Sequence, residues 1–258
     1  MMTGNATAPA MALDGKAAIV TGASRRTGRA TAIGLARMGA DILVHAQSSR
    51  EEVEATAELV RSVGRQATVV LGDVRQEDDV ERIRDAALDA FGRIDILINN
   101  AAIRRQVPFT EMRFDEWREI LGVILDGAFL CSRAVVPSMI SNGGGTIVNL
   151  GGLTAHVGAV NRAHVSAAKA GLVGLTKALA MEFADKGIRV NCVAPGKIGG
   201  QRSATSGETP AMPGAATIPL GREGDVEDVA QLICAICGPA GRFMTGQTIH
   251  LNGGLYLP

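Results

Sequence analysis

The sequence predicts an α/β fold: one doubly wound, seven-stranded parallel sheet with helices on both faces. Three observations carry this. Short apolar runs rich in Val and Ile alternate with longer segments of helical periodicity along the chain. A glycine-containing turn joins the first such run to the first helical segment. No internal repeat divides the 258 residues, a length that one large α/β domain accommodates.

The elements follow in order. Ala17–Thr21 is a continuous apolar run that ends at a Gly turn, and the Ala- and Leu-rich segment Arg29–Met38 follows as a helix. Asp41–His45 reads as the second strand and the charged, amphipathic Glu51–Val63 as the second helix. Ala67–Leu71 and Asp78–Phe91 repeat the pair, as do Ile94–Asn99 and the long segment Phe114–Ile140. A Ser141–Gly145 turn (SNGGG) leads into Thr146–Leu150, then helix Asn161–Asp185, strand Arg189–Val193, helix Val226–Ile236 and strand Thr248–Leu251. Lys197–Pro219 breaks the alternation. Its Gly, Ser, Thr, Ala and Pro content reads as a substrate-side lid or a disordered loop beside the sheet's C-terminal edge.

Composition narrows the function. Hydrophobic residues are 47% and aromatics only 3%, so the core is aliphatic. The formal net charge is zero and there is no basic stripe, which argues against nucleic acid as a partner. No wholly apolar run reaches the roughly 20 residues of a membrane span, so no membrane role is expected. Residues 1–12 read as a flexible tail without signal-peptide character and 13–258 as the domain; a cytoplasmic location is expected. Cys234 and Cys237 form a C-x-x-C, but QLICAIC is apolar at helical spacing and has no second pair or nearby His. Buried core thiols are the better reading, and no metal is expected.

The turn after the first strand reads Thr21-Gly22-Ala23-Ser24-Arg25-Arg26-Thr27-Gly28. Gly22 permits a tight turn, Gly28 permits close helix–strand packing, and the helix N-terminus offers N–H groups to a pyrophosphate. Further motifs stand at the ends of later strands: Asp73-Val74, Asn99-Asn100-Ala101-Ala102 and Asn191-Cys192-Val193-Ala194-Pro195-Gly196.

On these motifs the chain resembles the short-chain dehydrogenase/reductases, from about Leu13 to Leu251. The resemblance implies a Rossmann-type dinucleotide site and a tendency to form homo-oligomers, dimers or tetramers. It implies that Asp73 and Val74 flank an adenine, that Asn99 and Ala101 line the ribose–nicotinamide side, and that Pro195, Gly196 and Ile198 face the nicotinamide. The family's first loop is usually T-G-x-x-x-G-x-G. Arg26 replaces its middle glycine, a variant similar to that of the NADPH-binding pteridine reductases. Cofactor choice depends on the end of the second strand, where Ala46-Gln47-Ser48-Ser49-Arg50 lacks the acid that would bind ribose hydroxyls and repel a 2′-phosphate. Arg25, Ser48 and Arg50 can donate to a phosphate, so NADP(H) is favoured over NAD(H).

The same resemblance places the family's carbonyl-reducing residues. Of the Tyr, Lys, Ser and Asn expected, this chain keeps Lys169 alone; Val165, Gly152 and Ile124 stand at the Tyr, Ser and Asn positions. Val165 has no proton to give and Gly152 no hydroxyl to polarise a carbonyl. General-acid catalysis is worth about 10²–10⁴-fold and an oxyanion-type donor about 10²–10³-fold, so standard Tyr-dependent carbonyl reduction is not expected. Lys169 retains a role as ribose anchor.

The substitute proton donors weighed are His156, in the substrate-side loop with Thr154, and His164, beside the vacant Tyr position. Tyr256, the sole tyrosine, is a weaker candidate that would act in trans. Asn161 shares a helical face with Val165 and Lys169 by i, i+4, i+8 spacing and can present a polar group to the pocket. Arg104, Arg105, Lys197 and Arg202 are either anion-recognition groups or solvated loop cations. Three readings stay open: an NADP(H)-binding member that is divergent or catalytically silent; an NADP-dependent oxidoreductase of a small carbonyl or alcohol with a non-standard proton donor; and a non-redox enzyme of dehydratase, isomerase or aldolase type.

Overall fold

Seven strands form one sheet: β1 (Ala17–Val20), β2 (Asp41–Ala46), β3 (Ala67–Leu71), β4 (Ile96–Asn99), β5 (Gly145–Leu150), β6 (Ile188–Pro195) and β7 (Thr248–Leu251). The computed structural model describes residues 11–200 and 217–258. Strand order is β3-β2-β1-β4-β5-β6-β7, and every pairing is parallel. The order reverses between β1 and β4, which opens a crevice beyond their C-terminal ends.

Period-two alternation assigns each strand residue to a face. Ala18, Val20, Ile42, Val44, Ile96 and Ile98 join one apolar core with α1 (Arg26–Arg37), α2 (Arg50–Ser62) and α8 (Val226–Cys237). Ile19, Leu43, Leu97, Ile147 and Val190 point the other way, toward α3 (Glu77–Phe91), α5 (Gly127–Ser141) and α7 (Ala163–Phe183). Contact between α1 and α8 is close: a Cβ on Gly34 would lie 2.8 Å from Cys234 Sγ. All four cysteines are free and buried, and burial pushes the Cys234 thiol up to about 11 and Cys131 up to about 12. Cys234 and Cys237 pack as apolar groups, as their helical spacing predicts.

Several boundaries differ from the sequence expectation. Helix α1 starts at Arg26 rather than Arg29, so Arg26, Thr27 and Gly28 form its first turn. A first turn needs no apolar periodicity, which hid it from the pattern. The long segment after β4 is helical from Phe114 to Ser141, but α4 (Phe114–Leu121) passes into α5 through a π-helical turn at Gly122–Asp126. By length and composition this stretch can cross a membrane, yet 61% of its most apolar window is buried inside the domain. After the one-turn α6 (Thr154–Val157), helix α7 starts at Ala163, so Asn161 stands outside it with φ 59° and is exposed. The i, i+4, i+8 face proposed for Asn161, Val165 and Lys169 therefore loses its first member. Of the Lys197–Pro219 segment, residues 201–216, including Arg202, lie outside the described residues, as do residues 1–10 of the expected N-terminal tail.

Candidate functional site

The cradle at the switch point is built from β1, α1 and β4. Gly22 has φ 64°, and a Cβ there would sit 3.0 Å from Ala101 Cα. A Cβ on Gly28 would sit 2.3 Å from the Gly22 carbonyl oxygen, so that helix turn closes on the loop only with glycine. Asn100 pins the loop: its Nδ2 donates to the Thr21 and Gly22 carbonyls at 2.9 Å each, and its N–H donates to Thr21 Oγ1 at 3.0 Å. Helix α1 begins with neither a side-chain cap nor an acid in its first turn. Its leading N–H groups therefore present a partial positive charge that suits a phosphate.

His45, near the end of β2, supports this loop from below. Its Nδ1 accepts the Gly22 N–H at 3.4 Å and its Nε2 lies 2.9 Å from the Gly72 carbonyl. The Gly72 contact requires an Nε2–H and the Gly22 contact an unprotonated Nδ1, so the ring is neutral in this arrangement. Burial pushes its pKa below the ordinary histidine value, although the Gly72 carbonyl and Asp73 oppose the shift.

A cleft of ≈ 660 Å³ runs along this cradle. Gly22, Ser24, Arg25, Arg26, Thr27, Gly28, Ser48, Asp73, Val74 and Ala101 all line it. Arg50 does not line it; its guanidinium faces Glu54 at 3.6 Å along α2. Arg25 does line it, paired with Glu52 at 3.5 Å. Asp73 is held by Arg75, whose bidentate hydrogen bonds keep its carboxyl below the usual range, and it also accepts from Gln47 Nε2 at 3.1 Å.

Asn99 lines neither this cleft nor the pocket beyond it. It shares the face of Leu97, and its Nδ2 donates to Asn149 Oδ1 at 2.8 Å and Ser132 Oγ at 3.2 Å. Asn149 in turn donates to Thr176 Oγ1 at 2.9 Å. This buried polar network ties β4 and β5 to α5 and α7. Asn100, the next residue, lines both cavities.

A second pocket, of ≈ 210 Å³, opens beside the first. Gly152, Val165, Lys169, Pro195, Gly196 and Ile198 line it together. Close packing fixes Gly196, whose Cβ would lie 2.7 Å from Asn252 Cα. Lys169 is 4% exposed, donates to the Leu150 carbonyl, and is lowered to about 7 by burial, with the charge of Arg104 adding to the shift. Val165 and Ile124 belong to one buried apolar cluster with Ile120, Ala128, Ala168 and Leu172. Around Gly152 there is room: a Cβ would meet only Thr154 Oγ1, at 4.0 Å.

Arg26 borders both cavities with φ 49°, the left-handed region that a glycine would occupy without strain. Its Nη2 donates to the Gly199 carbonyl at 3.0 Å and to the Ile198 carbonyl at 3.4 Å, which links the glycine loop to the segment after β6.

The two candidate histidines do not line the pocket that Lys169 lines. His164 is fully buried, and its Nδ1 accepts the Val165 N–H at 3.0 Å. His156 packs against His250 (ring centroids 4.5 Å apart) and Tyr256 (5.5 Å) in a three-ring cluster near the C-terminus. Burial lowers all three of these histidines, with His250 adding to the effect on His156. Arg105 is paired with Glu119, and Lys197 with Glu223 at 2.7 Å.

Comparison with known proteins agrees with this architecture. Residues 22–256 match the family model described as enoyl-(acyl carrier protein) reductase. A 3-oxoacyl-[acyl-carrier-protein] reductase of Synechocystis is 38% identical over 248 residues, covering 95% of this chain and 99% of the relative. The Staphylococcus aureus protein FabG, of the same description, is 36% identical over 242 residues, 94% of this chain and 98% of its own length. A solved Sinorhizobium meliloti chain described as a short-chain alcohol dehydrogenase superposes with a TM-score of 0.86 at 35% identity, covering 95% of this chain and 98% of that one. The sheet order, the glycine cradle and these matches together place the chain in the short-chain dehydrogenase/reductase family of oxidoreductases.

Proposed function

We propose that this chain binds NADP(H) and does not perform the Tyr-dependent carbonyl reduction usual on its scaffold. One observation carries the reading: Lys169 is retained in a pocket whose other reacting positions are Gly152 and Val165. In that pocket burial lowers Lys169 to about 7, and Lys197 is paired with Glu223 at 2.7 Å. Ile124 belongs to the buried apolar cluster of Val165, where the family's polar side chain would have held water for proton relay.

The fit to a dinucleotide rests on the uncapped α1 N-terminus, the Gly22–Gly28 contact that leaves no room for a side chain, and the cleft they border. When bound, the nicotinamide supplies or accepts hydride. Arg25 and Ser48 line the cleft where a 2′-phosphate would be recognised, and the end of β2 offers no carboxylate against it. Lys169 would hold a ribose hydroxyl, and Asp73 with Val74 would border the adenine. Homo-oligomerisation belongs to the same proposal; the exposed Phe129 and Ile140 of α5 and Met181 of α7 offer apolar area for it.

A second reading keeps catalysis but changes the donor. It rests on Lys169, whose position and near-neutral amine suit proton transfer better than His156 or His164, neither of which lines the pocket.

Nucleotide titration followed by fluorescence and thermal shift tests the cofactor claim. NADPH is expected to raise the melting temperature and NADH to raise it less, because a ligand of the native state stabilises it by mass action. No shift with either at millimolar concentration overturns the claim.

A further inference from the structure

The space over Gly152 faces a hydroxyl. A Cβ built at that position meets one heavy atom, Thr154 Oγ1, at 4.0 Å. A serine there would carry its hydroxyl one bond beyond that Cβ, and a ligand oxygen bonded to it would lie about 2.5–3.0 Å further on. Thr154 Oγ1 therefore borders the volume that a hydroxyl at position 152 would serve. Thr154 lines the same pocket as Gly152, Val165 and Ile198, whereas His156, two residues on, does not.

The backbone fixes Thr154 at this place. The Gly151 N–H donates to the Val193 carbonyl at 2.8 Å, and a Cβ on Gly151 would fall 2.6 Å from Cys192 Sγ, so the chain passes β6 here only without a side chain. Leu153 is buried, and its N–H donates to the carbonyl of Pro195, another lining residue, at 3.0 Å. Thr154 then opens α6, and its carbonyl accepts the Gly158 N–H at 3.1 Å. A donor carried on backbone tied at both sides is preorganised toward the pocket, and the β-branch restricts its rotamers.

We infer that Thr154 orients a bound carbonyl compound in this pocket, its hydroxyl donating to the carbonyl oxygen in place of the hydroxyl that Gly152 lacks. The inference rests on the reading that a substrate sits here beside the nucleotide. A hydroxyl supplies one donor without adding a charge. Positions 152 and 165 then differ in consequence. Thr154 compensates the first, whereas Val165 packs with Ile120 and Ile124 in hydrocarbon and has no such neighbour in that cluster. The ligand is still held and oriented; what the pocket lacks is the acid at position 165.

Two assays test this. The first follows NADPH oxidation by acetoacetyl-coenzyme A, a 3-oxoacyl thioester, on a Val165→Tyr background. Val165→Tyr alone should match the Val165→Tyr, Gly152→Ser double variant within about fivefold, because the oxygen donor is already in place. Adding Thr154→Val to Val165→Tyr should lower kcat/KM by about 10²-fold, the worth of an oxyanion-type donor. Thr154→Ser should keep the activity, and Gly152→Ser should restore what Thr154→Val removes, which a merely structural role of Thr154 would not allow. The second assay is calorimetric titration of the parent chain, loaded with NADP⁺ so that no hydride is available, with the same thioester. Thr154→Val should weaken binding about fivefold, the scale of one hydrogen bond, and Thr154→Ser should not. If the Val165→Tyr chains do not fold, this pair alone decides. Activity that requires Gly152→Ser, Thr154→Val without effect, or equal losses for Thr154→Val and Thr154→Ser overturns the inference. A parent that binds neither NADPH nor NADP⁺ refutes the cofactor reading instead, and the calorimetric comparison without nucleotide then decides the role of Thr154.

Discussion

Val165 and Ile124 pack into the same buried apolar cluster, from α7 and from the π-helical turn between α4 and α5. In the reading proposed above, each stands where the family places a polar residue of its proton-transfer machinery. The replacements are mutually consistent, because hydrocarbon from one element meets hydrocarbon from the other and no polar group is stranded. A single polar substitution at either position would be opposed by this packing.

That opposition makes the reverse substitutions informative. Gly152→Ser should be tolerated, since its Cβ meets only Thr154 Oγ1 at 4.0 Å. Val165→Tyr enlarges a side chain that is 3% exposed and should cost about 1–3 kcal/mol in chemical denaturation. The double variant is expected to gain carbonyl reduction by about 10²-fold or more over the parent, the scale of a restored general acid. Steady-state oxidation of NADPH measures the gain.

Gly28→Ala should damage both folding and nucleotide binding. The new Cβ would fall 2.3 Å from the Gly22 carbonyl oxygen, so the loop or the helix must shift. A loss of about 1–3 kcal/mol in stability is expected, with NADPH affinity reduced at least about tenfold. Gly64→Ala, at an open turn with φ 84°, should lower stability without the selective loss of NADPH affinity. Denaturation paired with nucleotide titration separates the two effects.

Acid should weaken the nucleotide loop through His45. Its folded-state pKa is depressed, so the unfolded chain binds more protons just below the ordinary histidine value of 6.5. The stability held by neutral His45 is fully present above that value and is lost as pH falls below it. Protonation also removes the Nδ1 acceptor for the Gly22 N–H. The melting temperature and NADPH affinity should fall together on acidification, and His45→Gln should flatten the pH dependence of both.

Arg25→Ala should discriminate between the nicotinamide nucleotides. Arg25 lines the cleft but is partly solvated and shared with Glu52, so its contribution is screened. A loss of about tenfold in NADPH affinity is expected, with NADH affinity unchanged within about twofold. Arg50→Ala should change neither, because that side chain faces Glu54 and lies outside the cleft lining.

The sheet was legible because its strands are buried on both faces and read as short apolar runs between turn residues. The glycine loop was legible because Gly22 and Gly28 answer steric demands that no other residue meets. Side-chain direction at strand ends was harder to read. Alternation from Leu97 already puts Asn99 on the α5 face, a signal present in the sequence that leaves Asn100 to line the two cavities. His45 was missed because its partners, the Gly22 amide and the Gly72 carbonyl, come from two other β–α junctions. The acidic partners of Arg25 and Arg50 sit one turn into α2, where motif reading of the β2 end does not reach. Asn161 failed as a site residue because the helix start fell two residues later than the pattern suggested.

Single-turnover oxidation of bound NADPH by a 3-oxoacyl thioester tests the central claim most directly, run side by side on the parent chain and the Val165→Tyr, Gly152→Ser double variant. The account predicts that the parent binds NADPH and oxidises it no faster than a protein-free control, while the double variant oxidises it measurably. Oxidation by the parent at a rate equal to or above that of the double variant would contradict it.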